Sequence, residues 1–354
     1  MNVLIIIQRS NGDVFFSNTL VQILSKNYKN SEIDILVNDD TEQIARLIKN
    51  VRNIITFSYK EKNKNQWKQE ISIIRKIFKK YDISINLTTS DRGALYALFS
   101  AKKTISATEN ELRKYWWHKL LLTKTYFFDR NIHIIQNNLK PAKILNLKYR
   151  EIVSSIKPNK DSLASMRERL GEAAKKFIIF HPSAQYNYKI YPKKNRLLLL
   201  DLLSKLDLSV VITGGSSKID EEIRKTIPKS PNIINLIGKT TIDEYNSLSF
   251  LSKGYIGMDT LNMHIAASHN KKIFAIFGPT NTDMWSPWSN DKGGCDSSPK
   301  KVKVYGNITL FQAELDCAPC GKMGCDNNFG NSYCLDLIEP SVIYNEVEKF
   351  VKSI

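Results

Sequence analysis

One stretch of the chain puts a threonine, a histidine and free backbone donors in one place. Residues 254–280 read GYIGMDTLNMHIAASHNKKIFAIFGPT. The apolar run Tyr255 to Met258 predicts a short buried strand, and it ends at Asp259-Thr260, two residue types that start helices well. Thr260 and His264 are four apart and so share one helical face. Ala266, Ala267 and Ser268 keep the other side small enough to pack on a sheet. Ile273 to Phe277 predicts the next buried strand, broken by Gly278-Pro279. A strand, a sharp turn and a helix in this order make an anion site, because the first helical turn carries unpaired N–H groups and partial positive charge. The same letters also fit an ordinary αβ unit in which Asp259 only caps and His264 is buried.

A second group is made of thiols. Cys317, Cys320, Cys325 and Cys334 fall in a Gly- and Asn-rich stretch, CAPCGKMGC followed by a later cysteine. A CxxC with two further thiols has the ligand count and softness for a structural Zn or Fe site. A set of reduced thiols packing a loop fits the irregular spacing equally well. Cys295 lies outside the group, and five cysteines in all argue against a disulfide framework.

The elements that must position these residues follow a simple rhythm. Val3–Ile7 predicts a strand, 8–13 a polar loop and Val14–Lys26 a helix. Strands at 33–37, 54–57, 83–87 and 104–107 then alternate with helices at 41–49, 66–79 and 92–99. Such alternation means a parallel sheet covered on both faces, with ligands beyond the carboxyl ends of the strands. A helix over 133–147 is broken early by Pro141, and the charged stretch 149–176 reads as a linker with one short helix. The αβ pattern restarts at Phe177, passes a Gly214-Gly215 turn and closes with an amphipathic helix over 340–352. The reading is an α/β chain of three parts: a domain over 1–160, a second over 161–338, and a helix in 339–354 returning to the first domain. Neither half contains GxGxxG or a P-loop lysine, which counts against a dinucleotide dehydrogenase and an NTPase.

Charge points to an acidic partner. Fifty-two basic against 35 acidic residues give a net charge of +17. The segment ELRKYWWHKLLLTKTY at 111–126 mixes Tyr115, Trp116 and Trp117 with basic residues, as at a membrane interface, although a connecting helix with a core Trp pair also fits. No window is a transmembrane span of about 20 apolar residues. The opening MNVLIII lacks the basic start of a signal peptide and reads as a strand, so a cytoplasmic location is expected.

With these pieces in order, the chain resembles glycosyltransferase family 9, the lipopolysaccharide heptosyltransferases. The matching segments are RSNGDV at 9–14, HIIQNNLKPAKIL at 133–145, FHPSAQYNYKIYP at 180–192, VITGG at 211–215, GMDTLNMHIAA at 257–267, FGPT at 277–280 and CAPCGKMGC at 317–325. The resemblance implies a GT-B fold, two Rossmann-like domains facing across a cleft, with no metal needed for catalysis. It implies an inverting transfer of heptose from ADP-heptose to an anionic lipid-linked glycan of the lipopolysaccharide inner core, at the cytoplasmic side of the inner membrane and peripheral to it.

The roles that follow are expectations. Asp13 would take the proton from the acceptor hydroxyl; as a residue it also fits the N-cap of a helix starting at Val14. Lys189 would meet the donor diphosphate, where negative charge builds as it leaves. Asp259 would order the turn by accepting backbone N–H groups, while Thr260 and His264 donate to phosphate. Glu221, or Glu222 beside it, would hold the ribose hydroxyls, unless it only solvates a helix face. Two departures from the family stand out: Leu261 where Gly usually follows Asp-Thr, and Tyr191 where Trp usually precedes Pro. Leu261 keeps another nucleotide sugar open as donor. A non-catalytic sugar-nucleotide-binding protein is the remaining alternative, and the absence of any RNA-binding motif argues against nucleic acid.

Overall fold

Runs of Ile, Val, Leu and Phe without alternation form strands buried on both faces, and in this chain they do so twice. The computed structural model describes residues 1–296, 298 and 300–354, with all of their side chains except those of 61–66 and 112. It divides into two compact units, Met1–Ile156 and Lys157–Ile354. The boundary lies inside the charged stretch 149–176, four residues before the position read from the sequence.

The first unit runs β1 (Asn2–Ile6), α1 (Asn11–Phe16), α2 (Asn18–Asn27), β2 (Glu32–Asn38), α3 (Glu42–Ala45), β3 (Val51–Phe57), α4 (Tyr59–Ile77), β4 (Tyr81–Asn86), α5 (Asp91–Ser100), β5 (Ala101–Thr108), α6 (Leu112–Leu121), β6 (Lys124–Phe127), α7 (Ile134–Asn138) and α8 (Lys140–Ile144). The six strands pair in parallel in the order β3-β2-β1-β4-β5-β6. From β3 onward each crossover moves the same way across the sheet, and right-handed connections put α4, α5 and α6 on one face. Ile73 and Ile77 of α4 and Tyr96 and Ala97 of α5 accordingly share one core with Leu4 and Ile6 of β1. The α6 helix is tied to α5 by His118 Nε2, 3.1 Å from Asp91 Oδ1. The single helix expected over Val14–Lys26 is split at Ser17. There Ser17 Oγ donates to Val14 O (2.7 Å) and Asn18 Nδ2 to Phe15 O (2.6 Å), so polar side chains compete with the helical ladder. Pro141 sits in the first turn of α8, where its missing N–H costs nothing.

The second unit runs α9 (Lys160–Leu170), β7 (Phe177–His181), α10 (Lys193–Leu203), β8 (Ser209–Ile212), α11 (Lys218–Lys225), β9 (Ile233–Asn235), α12 (Ile242–Leu251), β10 (Gly254–Met258), α13 (Leu261–Ser268), β11 (Lys272–Phe277), α14 (Thr282–Trp285), β12 (Val302–Tyr305), β13 (Ile308–Gln312), α15 (Tyr333–Asp336) and α16 (Pro340–Val351). Its seven strands order as β12-β13-β11-β10-β7-β8-β9, parallel except for β12 against β13. The β12–β13 hairpin was not among the expected elements, although Tyr305-Gly306-Asn307 marks its turn, with Gly306 at φ 50°.

The last helix, expected on the first domain, packs within the second unit. The α16 helix belongs to the second unit. It packs on α10, with Ile343, Val347 and Val351 inside the core that holds Leu199, Leu203 and Phe274. Its apolar stripe finds the sheet of its own unit. Ile343→Ala should therefore weaken the second unit by about 2–5 kcal/mol. Hydrogen exchange should show faster opening of β10 and β11 with β1 and β4 unchanged; undiminished protection in β10 and β11 would contradict this packing.

Candidate active site

In the first unit the chain leaves β1 and enters α1 through Arg9 and Ser10. Ser10 is the N-cap, with extended backbone, and Asp13 is the third helical residue. The helix thus starts earlier than Val14, and Asp13 does not cap it. Ser10 Oγ donates to Asp13 Oδ2 at 2.6 Å. The other oxygen, Oδ1, is buried without a hydrogen bond among the described residues, and Arg9 Nη1 stands 3.8 Å from it. Burial pushes the carboxyl above its usual range; the Arg9 charge and the bonds from Ser10 pull it back, but not fully. The result is a dehydrated carboxylate that binds a proton more readily than an ordinary aspartate. Neither Arg9 nor Ser10 was singled out from the sequence. Their signal was present as a cation four residues and a hydroxyl three residues before an aspartate.

In the second unit Lys189 and Asp259 meet. Lys189 Nζ donates to Asp259 Oδ2 at 2.6 Å, joining residues seventy apart in sequence. Burial by itself would lower the Lys189 pKa; Asp259 more than offsets this and raises it, so the ammonium is held charged. Asp259 therefore spends an oxygen on a cation rather than on loop amides alone, which amends its expected role. Thr260 is the N-cap of α13 in extended conformation, and its side chain makes no capping bond to its own helix. Its Oγ1 lies 3.4 Å from the Tyr255 hydroxyl, which also reaches Met258 O at 3.2 Å. His264 is buried one turn into α13. The strands below close tightly: a Cβ on Gly257 would stand 2.4 Å from the His181 carbonyl oxygen. His181 itself contacts Thr213 Oγ1 through Nδ1 at 2.9 Å, and burial drops its pKa to about 4, so it is neutral.

Lys189, Asp259 and Thr260 thus gather at the N-terminus of α13, while Glu221 does not join them. It is half-buried on α11 and paired with Arg224. The buried acid of this turn is its neighbour Asp220, which accepts from Gly215 N (2.9 Å) and Ser217 Oγ (2.6 Å) and from Ser183 Oγ. The expectation of a ribose-binding Glu221 is amended accordingly: one acid of the turn holds the loop and the other solvates a helix. An aromatic set beside Lys189 was also missed. The rings of Tyr186 and Tyr188 stack at 5.5 Å, with the Phe329 ring 5.5 Å from Tyr186. The alternation of tyrosines in QYNYK was its only sequence signal.

Two α/β units, each with polar groups at the carboxyl ends of parallel strands, set the frame for comparison with known proteins. The model of glycosyltransferase family 9 (heptosyltransferase) matches residues 71–312. The chain belongs to this family. A second model, the herpesvirus glycoprotein H main domain, matches only residues 17–122 inside the first α/β unit. Lipopolysaccharide heptosyltransferase 3 of Escherichia coli is 25% identical over 291 residues, 80% of this chain and 85% of that one. The structure of E. coli ADP-heptose lipopolysaccharide heptosyltransferase II superposes with TM-score 0.75 at 18% identity, over 100% of this chain and 99% of that one. An E. coli heptosyltransferase solved with ADP gives TM-score 0.73 at 15% identity, covering 99% and 100%. The family 9 chain described here has the GT-B fold of those structures.

The four clustered cysteines do not form a ligand set. Cys317, Cys320 and Cys325 are exposed and Cys334 is buried, all as free thiols. Burial, reinforced by the three neighbouring sulfurs, pushes the Cys334 thiol up to about 11. Cys325 Sγ accepts from Tyr333 N at 3.3 Å. Among the described residues no group of three or more His, Cys, Asp or Glu is arranged to hold a metal ion. A structural Zn or Fe, as expected from the sequence, would have to draw these thiols together. Iodoacetamide at pH 8 should label Cys317, Cys320 and Cys325 and spare Cys334, as read by peptide mass spectrometry. Protection of all four, reversed by a chelator, would restore the metal.

Proposed function

We propose that this family 9 protein is an inverting heptosyltransferase. Its donor is ADP-heptose and its acceptor an anionic, lipid-linked glycan of the lipopolysaccharide inner core. It works at the cytoplasmic side of the inner membrane, peripherally; among the described residues no helix is long and apolar enough to cross a membrane. The names of the relatives, which are lipopolysaccharide or lipooligosaccharide heptosyltransferases, support this substrate class.

The observation that carries the chemistry is the state of Asp13: buried, with one oxygen unbonded and its pKa raised. In the proposed step the acceptor hydroxyl oxygen attacks the anomeric carbon from the face opposite the diphosphate. Its proton passes to Asp13. The bond from the anomeric carbon to the diphosphate oxygen breaks, and the electron pair leaves with that oxygen. Lys189, held charged by Asp259, and the N-terminus of α13 at Thr260 stabilise the leaving charge, so this reading needs no metal at the nucleotide. Asp259 orients the lysine. Two of the three ammonium protons stay available for phosphate oxygens.

Asp13→Asn should lower turnover by about 10²–10⁴ while ADP affinity and thermal stability stay near wild type. Wild-type turnover in that variant would remove Asp13 from the mechanism. The base must be ionised, so activity should fall as pH drops through the raised Asp13 pKa, at a higher pH than for an ordinary aspartate. Arg9→Met removes a charge that lowers this pKa and should move that acid limb further up, a shift that a purely structural Arg9 would not produce. The sign for stability is opposite. A raised carboxyl stabilises the fold below its unfolded pKa, and that contribution is lost as pH rises through the folded value. Lys189→Ala should weaken ADP binding by roughly 10–100-fold in calorimetric titration; unchanged affinity would move the diphosphate elsewhere.

A further inference from the structure

Six of the exposed large apolar side chains of the first unit belong to the three helices on one face of its sheet. The three helices on that side of the sheet each turn an apolar pair outward at i, i+4 spacing: Trp67 and Ile71 on α4, Leu95 and Phe99 on α5, Trp116 and Leu120 on α6. The exposures are large, 78% for Trp67, 62% for Trp116 and 71% for Leu120. Every other requirement of these helices is met inward, through Ile73, Ile77, Tyr96 and Ala97. Six outward apolar residues at matched spacing are not needed by the fold. They mark a surface that contacts something.

Charge identifies the partner. Between Tyr59 and Lys80 the sequence has eight lysines and arginines against two glutamates. One of those glutamates, Glu70, is already engaged by Arg92 and Tyr96. A shallow groove of about 550 Å³ on α4 is lined by Lys68, Arg75, Lys76 and Lys80 around Ile71 and Ser72, with no acid in its wall. None of these four cations has an ion-pair partner among the described residues. Exposed Arg113, Lys114 and Lys119 on α6 extend the positive field past Trp116. Lysine-rich surfaces are disfavoured at protein–protein interfaces, and the sequence carries no nucleic-acid-binding motif. Aromatic and aliphatic side chains set among free lysines on a helical face match a bilayer with anionic headgroups.

We infer that the outer face of α4, α5 and α6 docks on an anionic lipid bilayer, with the Lys68–Arg75–Lys76–Lys80 groove receiving phosphate headgroups and Trp67, Trp116 and Leu120 entering the interface. The inference deepens the proposed function by naming the surface through which a lipid-linked acceptor is approached. It rests on that reading for its purpose; its evidence is the face itself. The segment 111–126 then supplies the α6 part of the docking surface, beside the cations of α4 and Lys80.

Flotation of the full chain with unilamellar vesicles tests this. Vesicles of phosphatidylglycerol and phosphatidylcholine are compared with phosphatidylcholine alone. Wild type should float with the anionic vesicles, at least about tenfold more than with the neutral ones, and lose this binding in 0.5 M salt. The triple variant Lys68→Glu, Arg75→Glu, Lys76→Glu should bind anionic vesicles about 10²-fold less or weaker still. Trp67→Ala with Trp116→Ala should also weaken binding, and should abolish quenching of tryptophan fluorescence by brominated lipid. Both variants should keep wild-type thermal unfolding and ADP affinity, since they touch neither the core nor Lys189. Equal binding to neutral and anionic vesicles would overturn the inference, as would vesicle binding that the triple variant leaves intact. So would a wild-type dimer that the tryptophan variant converts to monomer, because the face would then be a contact between copies. Vesicle binding without transfer of heptose would refute the proposed function alone; transfer to a delipidated acceptor without vesicle binding would refute the docking face alone.

Discussion

Both units depend on the parallel ladder. A parallel strand cannot return through a tight turn, so a consecutive pair such as β4 and β5, or β10 and β11, is joined by a helix that crosses the sheet. The helices cover both faces, and a charge within a strand needs partners of its own, as Asp34 of β2 finds in Arg52 and Tyr81. Unpaired donors are left at the strand ends, where the helices begin. Asp13 and its partners follow β1 within a turn, and Asp259 and Thr260 follow β10 directly. What looks like a functional choice of location is first a consequence of how parallel sheets satisfy their backbone.

The two carboxylates at those ends are treated in opposite ways. Asp259 is given a lysine at hydrogen-bond distance, and the pair together presents an oriented ammonium. Asp13 is buried with a hydroxyl on one oxygen and an arginine held off at 3.8 Å from the other. The first arrangement lowers the cost of a buried charge; the second leaves part of it in place. A group meant to bind phosphate gains from permanent charge. A group meant to collect a proton gains from being uncomfortable without one.

Much of this was legible in the letters because it depends on local period and composition. The strand runs around Ile5, Ile85, Ile179 and Ile256 and the turn at Asp259-Thr260 follow from apolar runs and capping residues. Lys189 was read as a phosphate contact, but its bond to Asp259 joins distant segments that no local pattern links. The α16 helix shows the same limit: its amphipathic face was plain, and the surface it covers was not. Glu221 and Asp220 were inseparable by type. Only the turn geometry at Gly215, which hands its N–H to Asp220, decides which acid faces inward. For the cysteines, type suggested ligands where three-dimensional arrangement does not supply them.

The position of α16 also bears on synthesis at the ribosome. All six strands of the first unit are complete by Phe127, and their pairings are contained in Met1–Ile156, so that unit can close while the rest of the chain is still being made. The second unit cannot. Its core includes Ile343, Val347 and Val351, which are translated after every strand of that unit. Until they emerge, Phe274, Leu199 and Leu203 lack part of their cover. Nascent chains then pass through a state with one folded half and one open sheet, and that interval is when the protein is most exposed to aggregation and to proteolysis.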